Sequence, residues 1–140
     1  MNIKESLEQL KKQIVIEESL TDYAGPILIF GNINWLIENK NVITVSLTMS
    51  RDNFAIINNK YPNWSIEVQN KANEDENILI INDIDKVDIN RQEILLDILE
   101  DNEISTEKLP DNLKIILHSN NKCDISLKIR DIVECYSLVD

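Results

Sequence analysis

Apolar positions recur at two periods along this 140-residue chain, and the switches between them predict its elements. Ile3, Leu7, Leu10 and Ile14 fall three or four apart with charges between them, which predicts a helix over residues 2–20. Gly25-Pro26 breaks it. Ile27-Leu28-Ile29-Phe30 is apolar throughout and ends at Gly31, the pattern of a strand buried on both sides. Asn32 to Asn39 leaves room for at most two helical turns, carrying Trp35, Leu36 and Ile37. Val42 to Leu47, rich in β-branched residues, predicts a second strand. Ser50 to Lys60 reads as a helix with Phe54, Ile57 and Tyr61 on one face, stopped by Pro62. Trp64, Ile66 and Val68 alternate, so a short half-exposed strand is expected there. A polar, acidic loop from Lys71 to Asn77 leads to Ile78-Leu79-Ile80-Ile81, the strongest central-strand signal in the chain.

That strand ends in Asn82-Asp83-Ile84-Asp85. Asn90 with Glu93 three residues on predicts a capped helix whose apolar face is Ile94, Leu95, Ile98 and Leu99. Ser105 to Asn112, containing Pro110, reads as a loop. Leu113 to Leu117 is another strand, running into His118-Ser119-Asn120-Asn121. A short helix or turn covers Ser126 to Asp131, and Ile132 to Val139 is the last strand. Strands alternating with helices, several of them continuously apolar, predict an α/β fold: a three-layer sandwich on a mostly parallel sheet of about five strands. In such sheets ligands bind at the carboxyl ends of the strands, where the polar clusters after Ile81 and Leu117 fall.

Composition narrows the function. The length predicts one domain, residues 1–140, with residues 1–22 as a helix packing on it or on a partner. No apolar run is long enough to span a bilayer, and the N-terminal residues lack the charged and apolar regions of a secretory signal. Two cysteines, Cys123 and Cys135, are too few for a disulfide framework, so a reducing, cytoplasmic setting is expected. A net charge of −11 repels nucleic-acid backbones, which argues against direct DNA or RNA binding. Only Gly25 and Gly31 are glycines. A loop that cradles phosphates needs several, because its amides must approach the phosphates closely.

The order of features from Ile78 to Val139 resembles the AAA+ ATPase core, nearest its MoxR-like and restriction-GTPase branch, with clamp-loader subunits second. Ile78-Leu79-Ile80-Ile81-Asn82-Asp83-Ile84-Asp85 looks like the Walker B strand, and Gln92 to Glu100 is similar to the helix after it. Leu109-Pro110-Asp111-Asn112-Leu113-Lys114-Ile115-Ile116 leads to Asn120, where that family keeps its sensor 1 residue. Asp124 and Ile129-Arg130 also match. The resemblance implies a P-loop-NTPase-like sheet and a ring-forming habit.

The departures imply a lost engine. Asn82 stands at the metal-supporting position and Asp83 at the catalytic-base position of a strand that should end Asp-Glu. Asn is a weaker hard-cation ligand than Asp, and Asp reaches less far than Glu. Gly31-Asn32-Ile33-Asn34-Trp35 stands where the Walker A loop should begin, with no second Gly, no Lys and no Ser or Thr. Arg130 is followed by Asp131 where finger arginines would sit, and the family's helical lid has no counterpart before Asp140. The expectation is a degenerate AAA+-like interaction or regulatory module without catalytic residues, metal or cofactor. It would work through a protein partner, an active AAA+ protein or itself, in replication, a phage or mobile element, or defence.

Two other readings compete. Asp83-Ile84-Asp85 after an apolar strand resembles the nucleophile motif of haloacid-dehalogenase-type phosphatases, which would make a small magnesium-dependent enzyme. The acidity would also suit a DNA mimic. Against each stands an ordinary role: Asp83, Asp85 and Asp88 as solvated loop acids, Asn120 as a turn residue, His118 as a strand-end side chain. Trp35 and Trp64 fit either a core or an interface.

Overall fold

The computed structural model describes residues 2–139; Met1 and Asp140, the ends of the expected domain, lie outside the described residues. Five strands, β1 (Ile27–Phe30), β2 (Val42–Ser46), β3 (Asn77–Asn82), β6 (Leu113–Ser119) and β7 (Glu134–Ser137), form one sheet in the order β2-β3-β6-β1-β7. Every pairing in it is parallel. A two-residue hairpin, β4 (Glu103–Ile104) and β5 (Glu107–Lys108), stands apart from it.

The continuous apolar runs follow from burial on both sides. In β3, Ile78 and Ile80 point to one core while Leu79 and Ile81 point to the other. Each such side chain stabilises the fold by about 1.5–3 kcal/mol relative to exposure. The larger core, under Leu79 and Ile81, is covered by α3 (Asn63–Asn70), by the 3-10 turn Glu93–Leu95 that follows α4 (Ile89–Gln92), and by α5 (Leu96–Asp101) and α6 (Leu127–Arg130). The other is covered by α1 (Ile3–Thr21) and the single turn of α2 (Asn34–Ile37). The chain is therefore a three-layer α/β sandwich. No helix among the described residues is long and apolar enough to cross a membrane.

Several elements differ from the sequence expectation, each for a local reason. The stretch from Ser50 to Lys60 forms only a 3-10 turn, Arg51–Phe54, before the backbone extends at Ala55. Asn58 and Asn59 then take left-handed conformations and close a small turn pairing Ile57 with Lys60, as asparagine tolerates better than most residues. Phe54 is buried but Ile57 and Tyr61 are exposed, so they share no packed face.

Trp64 to Val68 is helix α3, not strand. Pro62 occupies its N-cap position, and Trp64 and Val68, one turn apart, are buried while Ile66 faces out. The helix after β3 is capped by Asp88, whose side chain accepts from the Arg91 amide (2.8 Å), rather than by Asn90. The expected loop after Ser105 contains half of the β4–β5 hairpin, turned at Ser105 and Thr106, both with positive φ.

A further difference concerns α1. Its capping box is in place, with the Glu5 amide donating to Asn2 Oδ1 at 2.8 Å. Its packed residues are Ile16 and Leu20, not the stripe of Ile3, Leu7, Leu10 and Ile14, which is exposed.

The two glycines predict opposite outcomes. Gly31 has φ +121°, and a Cβ there would lie 2.7 Å from Leu138 Cβ. Gly31→Ala is expected to destabilise the fold by about 2–5 kcal/mol, from backbone strain plus overpacking. Gly25 has open space around it, so Gly25→Ala should leave urea-denaturation midpoints unchanged or raise stability by up to about 1 kcal/mol.

Candidate functional site

At the carboxyl ends of β1, β6 and β3 the side chains stop being apolar. β6 lies between the other two, with Ile29 beside His118 and Ile81 beside Leu117. The period of two along β6 sends His118 to the same face as Ile116, where it reaches both neighbours. Its Nε2–H donates to the Gly31 carbonyl oxygen at 2.7 Å. Its Nδ1 meets the Asn82 side-chain amide, 2.9 Å from Oδ1. One imidazole thus bridges the two strand ends.

This geometry fixes the proton positions. With Nε2 donating, a neutral ring offers a lone pair at Nδ1 and must receive a hydrogen bond from Asn82 Nδ2. A protonated ring donates from Nδ1 to Asn82 Oδ1 instead. The two states differ by a half-turn of the Asn82 amide. Burial of the ring lowers the His118 pKa below 6.5; the Gly31 bond and the charges of Asp83 and Asp85 oppose that shift.

Asp83 turns the chain out of β3 in a left-handed conformation, φ 67° and ψ 31°. Both its carboxylate oxygens have partners. Oδ2 accepts from the Ser46 hydroxyl, and Oδ1 pairs with Lys86 Nζ at 3.1 Å. The Ser46 bond, aided by Lys86 and His118 against desolvation, lowers the Asp83 pKa below 3.8. Ser46 in turn pairs with Thr48 Oγ1 at 2.7 Å. Both oxygens of this carboxylate are thus engaged within the chain.

The start of the expected Walker A loop is likewise occupied. The Gly31 amide donates to Ser119 O at 2.8 Å and the Asn34 amide to Asn32 Oδ1 at 2.8 Å. The Leu138 amide donates to Phe30 O at 2.7 Å, bringing its side chain onto Gly31. A phosphate would find these amides already bonded.

The other sequence candidates are scattered. Asn120 is exposed in the turn beyond β6; the polar side chain at the strand junction is His118, two residues earlier. Asp85 lines an open groove with Asp88, Cys123 and Asp124, and its charge reaches the His118 ring. Among the described residues no three His, Cys, Asp or Glu side chains are grouped to hold a metal ion. Trp64 is a core residue, 4% exposed, stacked at a tilt on Phe54 with centroids 6.4 Å apart. Trp35 is half-buried, its Nε1–H donating to Asn32 O. Arg130 is exposed at the end of α6 and makes no ion pair among the described residues.

Sequence reading missed Gln92. It is buried, donates from Nε2 to Asp124 O (2.9 Å), and accepts from the Ser126 amide at Oε1 (2.8 Å). It ties α4 to the loop after β6, and only its place on the buried side of a helix marks it beforehand. The sequence matches no protein-family model, and no curated protein matches it.

Two outcomes follow. Because the unfolded His118 binds a proton at higher pH than the folded one, stability falls as pH drops through 6.5. Urea melts at about pH 7.5 and about pH 5 should show this loss, and His118→Gln should reduce it. A further melt at about pH 3 should show the loss from Asp83, confined to pH below 3.8, in that variant and not in Asp83→Asn. Gln92→Ala, which orphans Ser126 N and Asp124 O, should cost about 2–4 kcal/mol in the same assay.

Proposed function

We propose that this chain is a non-catalytic AAA+-like domain that acts through protein contacts and neither binds nor hydrolyses ATP. The parallel sheet supports the AAA+-like part. β3, the Walker B-like strand, is separated from β1 by β6, which leads to the sensor-1-like Asn120. That is the arrangement the resemblance implies. One observation carries the non-catalytic part: the His118 bridge from Gly31 O to Asn82 occupies the gap between β1 and β3. In an active member that gap belongs to phosphate and metal. Here the chain's own groups satisfy each other across it, and opening it would leave a buried imidazole and a carbonyl unpaired.

The same geometry disfavours the phosphatase alternative, since Asp83 is held by Ser46 and Lys86. The surface left for function is the exterior, which would meet a protein partner, an active AAA+ protein or a second copy; its acidic part suits a basic partner.

Thermal melting with ATP, ADP or GTP plus Mg²⁺ tests this reading. A ligand at 100 times its Kd adds about 2.7 kcal/mol, so the expected result is an unchanged Tm with every nucleotide. A nucleotide-specific rise would overturn it; a rise with Mg²⁺ alone would revive the Asp83/Asp85 phosphatase.

A further inference from the structure

The first half of α1 carries an apolar surface that its own domain does not use. The side of the helix facing the sheet is formed by Gln9, Gln13, Ile16 and Leu20, all half-buried or buried. Gln9 Nε2 donates to Leu138 O at 3.0 Å, holding this half of the helix in place. At 3.6 residues per turn, Ile3, Leu7, Leu10 and Ile14 lie about 120° around the helix from that side. All four are about half exposed or more, Ile3 reaching 82%. A partner on this stripe would displace no domain contact.

The stripe specifies its occupant. Its order is Ile-Leu-Leu-Ile at spacings of four, three and four, so it reads the same in both directions. Laid antiparallel on a second copy, Ile3 meets Ile14 and Leu7 meets Leu10, each contact occurring twice about a two-fold axis. Charge permits this here: residues 2–14 hold Lys4, Lys11 and Lys12 against Glu5 and Glu8, a net +1, in a chain of net −11.

Four side chains alone fall short of the roughly 800 Å² per partner of a standard interface. The surface continues, however, into a groove of about 680 Å³ where Leu10 adjoins Trp35, Leu138 and Val139. Tryptophan beside such a groove is a common anchor of association.

We propose that the chain forms a two-fold dimer through antiparallel pairing of α1, with Trp35 at the margin of the contact. The proposal rests on α1 and its groove, and stands whether or not the AAA+-like reading does. Sedimentation equilibrium between about 1 and about 500 µM chain should show a monomer–dimer equilibrium. Leu7→Lys with Leu10→Lys should weaken it at least tenfold while leaving unchanged the circular dichroism spectrum and the Tm measured at a concentration where both chains are monomeric.

Orientation is tested by cysteine cross-linking in a Cys123→Ser, Cys135→Ser background. Ile3→Cys chains should cross-link to Ile14→Cys chains and not to each other, because two Ile3 positions lie about 16 Å apart along an antiparallel pair. A monomer throughout that range, a dimer indifferent to the two lysines, or self-cross-linking of Ile3→Cys would overturn the proposal.

Discussion

A parallel sheet with apolar side chains on both faces must be covered twice, and the rest of this structure answers to that requirement. One face receives α3, α5, α6 and the turn at Leu95, and carries the larger core. The other has only the single turn of α2 and the second half of α1. Ile16 and Leu20 are therefore the indispensable part of the long helix. Its first half is needed only for position, and polar Gln9 and Gln13 suffice to face the domain there. The apolar residues of that half are thereby free to point elsewhere.

The strand ends obey a second constraint, that buried polar groups find partners. Where an active nucleotide-binding sheet would keep donors free for phosphate, this one pairs them internally. His118 joins Gly31 to Asn82, Ser46 and Lys86 hold Asp83, and Gln92 joins α4 to the loop beyond β6. These contacts make the carboxyl edge of the sheet a closed polar seam. They also place stability and ligand binding in competition, because each bond given to a ligand would be taken from the fold.

The sheet was legible in the sequence because two-sided burial writes itself as unbroken apolar runs, as in Ile78 to Ile81. Short elements were less so. Trp64, Ile66 and Val68 satisfy a strand period as well as a helical one, and Trp64 with Val68 decides it only once both are seen buried. The turn at Ser105-Thr106 uses left-handed backbone without glycine, which gives no local signal. For the site, the period of two correctly puts His118 beside Ile116, but its neighbours Gly31 and Asn82 come from distant strands. Their meeting depends on strand order, a non-local property. Asn120 is the landmark visible in the sequence, while the histidine two residues before it holds the strand junction.

The placement of β1 has a consequence for how the chain folds. Its partners on either side are β6 and β7, so Ile27 pairs with Ile116 and Glu134. During synthesis the first strand waits, fully apolar and unpaired, until β6 and β7 have been made. Closure of such distant ends is entropically costly before contacts reward it, and folding slows accordingly. The Leu138–Phe30 hydrogen bond comes from beyond β7, so a nascent chain that has not yet passed Leu138 would lack this fastening of β1, the strand between β6 and β7.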